Sequence, residues 1–210
     1  MFEAVIFDFG GVITESPFDA FNKLEAERGV PKDTIRRINA TNPHDNAWAR
    51  FERSEIGLDA FDRAFAEEAR ALLGCEIGGR DVMACLHGAV RPSMLEALRR
   101  ISARYKTGCI TNNVASEPAS DTWRSRAVEE AMGLFHHVIE SSKVGIRKPD
   151  PRIYRMMLDA LSVEAPRAIY LDDLGINLKP AREMGMTTVK VEAAEPAIAT
   201  LEHHLGITLR

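Results

Sequence analysis

The chain has 210 residues, with 27 basic and 31 acidic side chains and a net charge of −4. This balance leaves no electrostatic footprint for nucleic acid, so an anionic partner would be small and met by a local basic cluster. At 45% hydrophobic and 28% charged residues the composition is that of a folded globular chain, and no apolar run approaches the ~18 residues that cross a bilayer.

The first element is Ala4-Val5-Ile6-Phe7-Asp8-Phe9, an apolar run broken by a carboxylate, which reads as a buried strand over 4–9. Gly10 and Gly11 follow, allowing a tight turn and a close approach of the backbone to a ligand. From 16 to 88 no strand-like run occurs. That stretch reads as successive helices, "PFDAFNKLEAERG", "PKDTIRRINA", "HDNAWARFERSE" and "GLDAFDRAFAEEARALLG". Beyond it come the amphipathic "SMLEALRRISARY" (93–105), the strands "KTGCIT" (106–111) and "HHVIES", and the helix "DPRIYRMMLDALS" (150–162), with Pro151 in its first turn. The strand "AIYLDD" (168–173) is next. In "LGINLKPAREMGM" Pro180 falls inside a helical pattern, which predicts a shifted start or a bend. "TTVKVE" (187–192) is the last strand.

Strands alternating with helices of this length mean βαβ units, hence an α/β chain with a Rossmann-like parallel sheet covered on both faces. The expected division is a core of residues 1–15 and 89–210 and an inserted helical segment, 16–88. The insertion departs at the carboxyl end of the first strand, where open α/β sheets bind ligands. A lid is therefore expected, with a helical bundle remote from the site as the alternative. Cys75, Cys85 and Cys109 show no C-x-x-C spacing, and the N-terminus enters "FEAVIFD" without a basic leader. Reduced thiols and a cytoplasmic protein are expected. His136-His137 and His203-His204 are adjacent pairs whose side chains diverge on either regular element, so neither forms a metal clamp.

Four polar features fall at the carboxyl ends of four strands: Asp8, Thr111 with Asn112 and Asn113, Lys148 in "VGIRKPDP", and the pair Asp172-Asp173. Parallel strands share one direction, so these groups converge on one edge of the sheet. A carboxylate can attack a phosphoryl group only when cations neutralise both partners. Asp8, Asp172 and Asp173 offer hard oxygen ligands for Mg²⁺. Lys148 is the second cation, Thr111 a hydroxyl donor, and backbone N–H groups after Asp8 and Thr111 complete an anion cradle.

"VIFDFGGVI", "CITNN", "RKPDPRIY" and "IYLDDLGINLKPAREMGM" resemble, in order and in local sequence, the motifs of the haloacid dehalogenase-like hydrolase superfamily. Segment 16–88 resembles that family's small helical cap. Long blocks are similar to the N-terminal phosphatase domains of soluble epoxide hydrolases and of multidomain acyl-CoA dehydrogenases. The resemblance covers essentially the whole chain. It implies Asp8 as nucleophile through a phospho-aspartyl intermediate, and Thr111 and Lys148 binding phosphate, with Asn112 and the backbone at Gly10 and Gly11 beside it. Mg²⁺ would be held by Asp8, Asp173, the carbonyl of Gly10 and, through water, Asp172. The implied partner is a small phosphorylated substrate. Epoxide hydrolysis belongs to a separate domain and is not implied.

The departure is Gly10, where family phosphatases carry an aspartate that protonates the leaving alcohol and then activates water. General acid–base catalysis of this kind is worth about 10²–10⁴-fold. Thr14, Glu15 and His44 are candidates to replace it, each with an ordinary structural role as the alternative. Three readings stay open: a Mg²⁺-dependent phosphatase slowed by Gly10, a weakly catalytic phosphate-ligand-binding or regulatory protein, and a metal-independent 2-haloacid dehalogenase. Against the last stands the Asp172-Asp173 pair, which without a metal is only repulsive. For substrate choice the helical segment offers His44, Trp48, Arg50 and Arg53, with Trp48 and Phe51 as packing residues and solvated arginines as the plainer reading. Oligomeric state is not readable from the sequence.

Overall fold

A computed structural model describes residues 1–86, 88–114 and 126–210, so His87, within the 16–88 segment, lies outside the described residues. Five strands, β1 (Ala4–Phe7), β2 (Lys106–Thr111), β3 (His137–Glu140), β4 (Ala168–Asp172) and β5 (Thr187–Lys190), form one parallel sheet in the order β3-β2-β1-β4-β5. Strand β1 is buried along its whole length, as expected of a central strand covered on both faces. Its residues alternate between two cores. Val5 and Phe7 join Ile169 and Leu171 under α6 (Pro92–Ser102), α7 (Arg126–Gly133) and α11 (Ala194–Leu205). Ala4 and Ile6 join Tyr154, Met157 and Leu178 under α9 (Pro151–Leu161) and α10 (Gly175–Glu183).

The chain moves from β1 out to β3, then returns to the opposite side of β1 for β4 and β5. The order therefore reverses between β1 and β4, and ligands of open α/β sheets bind outside the carboxyl ends of such strands. Strand β2 matches its expected run, whereas the first strand stops at Phe7, and the chain turns at Phe9 and Gly10. Helix α10 runs from Gly175 through Pro180, so its start is not shifted by the proline. Its start is held instead from outside, because Asp172 accepts from the Leu174 amide (2.8 Å) and from Asn177 Nδ2 (3.1 Å).

Helices α1 (Phe18–Glu27), α2 (Thr34–Ala40), α3 (Ala47–Glu52), α4 (Leu58–Leu73) and α5 (Gly79–Met83) pack around an apolar cluster of their own. Phe21, Ile35, Phe51, Phe61 and Phe65 form its centre, with Phe51 stacked on Phe61 at 4.4 Å between centroids. Gly79 lets α5 lie close on α4, since a Cβ there would stand 2.6 Å from the Phe61 ring. The two linkers to the sheet run side by side. Thr14 bridges Val90 antiparallel, Glu15 N donates to Ala89 O (2.8 Å), and Arg91 N donates to Ile13 O (2.9 Å). The short helix α8 (Ser141–Val144) follows β3 and leads, through Gly145 in the left-handed region, to the loop carrying Lys148. Cys75, Cys85 and Cys109 are unpaired thiols, and among the described residues no helix is long and apolar enough to cross a membrane.

Candidate active site

The register of the sheet assembles the site. Phe7 stands opposite Leu171, so the next residues, Asp8 and Asp172, come level at the carboxyl ends of adjacent strands, where the order reverses. Both are buried, and two carboxylates side by side in low dielectric require a cation. Lys148, 1% exposed, supplies it: Nζ lies 2.8 Å from Asp8 Oδ2 and 2.8 Å from Asp172 Oδ2. The lysine is aimed by its backbone. Asn112, just past β2, accepts from Lys148 N (2.8 Å) and donates through Nδ2 to Lys148 O (3.1 Å). Both ends of the Asn112 amide are thus used in holding the lysine loop.

Asp172 is crowded with donors. Besides Lys148 it accepts from the Tyr170 hydroxyl, from the Leu174 amide and, at 3.1 Å to each oxygen, from Asn177 Nδ2. Sequence reading did not find Tyr170 or Asn177. Tyr170 was accessible in principle, because residues two apart on a strand share a face. Asn177 lies in the first turn of the helix that follows Asp172, a position with no signature of its own.

Asp173 differs. It is partly buried, and its carboxylate sits against Gly11, where a Cβ would stand 2.3 Å from Asp173 Oδ2. Gly11 also has φ +76°, so this position excludes a side chain on two grounds. At Gly10, by contrast, a Cβ would meet nothing within 4 Å. Asp8, Asp172 and Asp173 each place an oxygen within 4.8 Å of the others.

The electrostatics follow from this crowding. Burial, then the charges of Asp172 and Asp173, push the Asp8 carboxyl well above the ordinary range, while Lys148 pulls it back. Burial and Asp172 push Asp173 up to about 6, opposed by Lys148 and Arg91. Burial alone would lower Lys148, but Asp172 and Asp8 outweigh it and hold the ammonium charged. One lysine therefore stands against three carboxylates, and the donor set is deficient in positive charge. That deficit, the hard oxygen donors and the clearance left by Gly11 fit a small divalent cation such as Mg²⁺. With its oxygens already occupied, Asp172 is the least available of the three as a direct ligand.

Thr111 ends β2 with 9% exposure. Its hydroxyl makes no hydrogen bond among the described residues. Other candidates lie elsewhere. Thr14 is in the linker ribbon, its hydroxyl donating to Glu15 O (3.2 Å), and Glu15 is exposed. Trp48 packs edge-on against Phe61 and Phe65. Arg53 is tied to Glu55 (2.6 Å) and to the carbonyl of His44 (2.9 Å), and Arg50 lies 3.9 Å from Glu55. His44 and Arg53 line a cavity of about 420 Å³ with Arg147, Asp150 and Arg152, a lining that includes none of Asp8, Lys148 or Asp173.

A family model for haloacid dehalogenase-like hydrolases matches residues 2–185. The chain is 33% identical over 217 residues to acyl-CoA dehydrogenase family member 10 of Mus musculus, covering 99% of this chain and 20% of that protein. It is 35% identical to bifunctional epoxide hydrolase 2 of Mus musculus, covering 95% of this chain and 38% of that protein. The chain thus spans well under half the length of these relatives. A sesquiterpene phosphatase of Aspergillus oryzae is 28% identical, covering 88% of this chain and 87% of that one. Among solved structures, a Porphyromonas gingivalis protein described as a predicted HAD-like family hydrolase superposes with a TM-score of 0.68 at 17% identity, over 99% of this chain and 100% of that one. An enzyme of Bacteroides thetaiotaomicron in complex with magnesium and inorganic phosphate gives 0.60 at 19% identity, over 93% and 96%. At these identities the superpositions speak for the fold alone.

Proposed function

The chain belongs to the haloacid dehalogenase-like hydrolase family, and from that premise we propose that it is a Mg²⁺-dependent phosphatase of a small phosphorylated substrate, with Asp8 as nucleophile. The observation that carries this reading is the charge deficit at the reversal of strand order. Among the described residues Asp8, Asp172 and Asp173 face a single buried lysine, an arrangement suited to a cation and a phosphate together. A dehalogenase that works without a metal has no use for Asp173, which forms no ion pair among the described residues.

When bound, Mg²⁺ would be held by Asp8 and Asp173, with the carbonyl of Gly10, and would supply charge neutralisation between nucleophile and phosphate. Asp8 attacks phosphorus through a carboxylate oxygen, the bond from phosphorus to the ester oxygen breaks, and the leaving alkoxide takes up a proton. Water then attacks the phosphorus of the acyl phosphate, giving up a proton and restoring the Asp8 carboxylate. Lys148 offsets part of the cost of burying the Asp8 charge and neutralises a phosphate oxygen. The Thr111 hydroxyl donates to the phosphate. Asn112 acts on Lys148 rather than on substrate, and Asp172, fixed by Tyr170 and Asn177, is the anchor against which the lysine is held. Helical segment 16–88 serves as the cap over this edge.

Neither half-reaction has a proton carrier at position 10, which favours substrates with good leaving groups, such as aryl and acyl phosphates. The same observation supports a second reading, a phosphate-ligand-binding protein that turns over weakly. One experiment separates them: aryl-phosphate hydrolysis with Mg²⁺ and with EDTA, on the natural chain and on Asp8→Asn, beside chloride release from 2-chloropropionate. Hydrolysis that needs Mg²⁺ and is lost in Asp8→Asn is expected. Binding of inorganic phosphate without hydrolysis would move the function to the second reading, and chloride release indifferent to EDTA would replace both.

A further inference from the structure

In "RKPDPRIY" the chemistry uses Lys148 and leaves its neighbour Arg147 without a task. The side chain of Arg147 turns away from the carboxylates and grips the helical segment. Its Nε donates to Glu52 Oε2 (2.6 Å) and its Nη1 to the carbonyl of Pro43 (2.8 Å). The pair is largely withdrawn from water, Glu52 being 7% and Arg147 18% exposed at the side chain. Glu52 is no loose surface acid. Its other oxygen accepts from Trp48 Nε1 (2.7 Å), and Trp48 packs on Phe61 and Phe65 in the centre of the helical cluster. Two further bonds cross the same seam: Ser141 Oγ donates to Glu52 O (2.8 Å) and Ser54 Oγ to Ser142 O (2.9 Å). Of these, only the Arg147 bonds attach next to Lys148, on a loop whose backbone Asn112 fixes from the other side.

We propose that Arg147 is a positioning residue: through Glu52 it couples seating of the helical segment to presentation of Lys148 Nζ to Asp8. The inference rests on the phosphatase reading only for the step the lysine serves; the coupling itself is a property of the fold. When the segment is seated, the guanidinium is held at two points and the backbone at 147–148 is fixed between the segment and Asn112. When the segment lifts, Arg147 loses both acceptors, and the lysine loop keeps only the Asn112 clamp. By reciprocity, whatever fastens Lys148 at the carboxylates also favours the seated segment.

The test uses Glu52→Gln and Arg147→Lys, which weaken the grip while keeping a hydrogen-bonding group at each position, with Ser54→Ala as a cross-seam control remote from Lys148. Amine acetylation by an activated ester is read by mass spectrometry at Lys148, relative to the exposed Lys23, so no activity is needed. Coupling energies in proteins correspond to roughly 5–150-fold. Lys148 labelling is expected to rise about fivefold or more in Glu52→Gln and Arg147→Lys, and less than about twofold in Ser54→Ala. Labelling unchanged in the first two, or raised equally in all three, would overturn the proposal. In aryl-phosphate turnover the same two variants lower kcat with little change in KM, whereas a rise in KM with kcat intact would make Arg147 a substrate contact and refute it. A natural chain that hydrolyses no phosphate ester would remove the phosphatase reading and leave the labelling to decide the coupling.

Discussion

Gly10→Asp tests the account of turnover most directly. The position tolerates a side chain: a Cβ meets nothing within 4 Å, and Gly10, unlike Gly11, is not in the left-handed region. It is exposed and two residues past Asp8, so a carboxyl there reaches both the leaving group and solvent. The added negative charge, screened by water, costs about 1 kcal/mol or less of stability. The gain is a proton carrier, worth about 10²–10⁴-fold, or roughly 3–5 kcal/mol of barrier at 1.36 kcal/mol per tenfold. Alkyl phosphates, whose alkoxide leaves poorly unprotonated, receive most of it, and aryl phosphates little in the first half-reaction. The assay is kcat/KM for a matched alkyl and aryl pair with Mg²⁺, on Gly10→Asp and on Gly10→Asn, which has the same size and carries no proton. The alkyl rate is expected to rise at least about 10²-fold in Gly10→Asp, and neither rate in Gly10→Asn. Equal rises on both substrates, or a rise in Gly10→Asn, would show that leaving-group protonation is not what the site lacks.

Gly11→Ala drives a methyl into Asp173 Oδ2 and forces an L-residue to φ +76°; a loss of about 1–3 kcal/mol in urea unfolding is expected, with weaker Mg²⁺ binding by calorimetry. Lys148→Met leaves Asp8 and Asp172 buried without their cation; a destabilisation of about 3–5 kcal/mol and loss of phosphate binding should follow in the same measurements. Tyr170→Phe removes one donor from Asp172 while others remain; it should cost about 1–2 kcal/mol in urea unfolding, with kcat falling more than KM rises as the lysine's anchor loosens.

The central strands β1 and β4 were legible because a strand buried on both faces is a short, nearly unbroken apolar run, and the edge strands β3 and β5 as short runs rich in Val, Ile and Thr between amphipathic helices. Asp8 and the Asp172-Asp173 pair were legible as polar residues where those runs stop, and Lys148 as a cation on the loop beyond the third strand. The roles within the cluster were less so. That Asp172 is occupied by Tyr170, Asn177 and Lys148 while Asp173 forms no ion pair among the described residues depends on register and on the first turn of a helix, and two adjacent aspartates look alike in sequence. The resemblance implies Asn112 beside the phosphate, and its amide also closes on the backbone of a residue 36 positions away, a pairing with no local signature in the sequence. Among residues 16–88 helices α1 to α4 were legible from periodicity, and the five-residue α5 was not. What Trp48 or Arg53 faces was not, since every helix there shares one small core, and a residue pointing to it reads like one pointing to a ligand.

The paired linkers have a consequence for how such a chain can change. The helical excursion of some seventy residues leaves and re-enters the sheet at neighbouring points, rung to rung between Thr14 and Val90. Closing a loop whose ends are already joined grows more costly only slowly with its length. The core therefore constrains the excursion at its doorway and at the few bonds that reach Pro43, Glu52 and Ser54 across the seam. Helices can be lengthened, traded or regrown there while the strands keep their register and the four strand ends keep their places. The cluster at the strand ends and the helical segment are then free to diverge at different rates within one molecule.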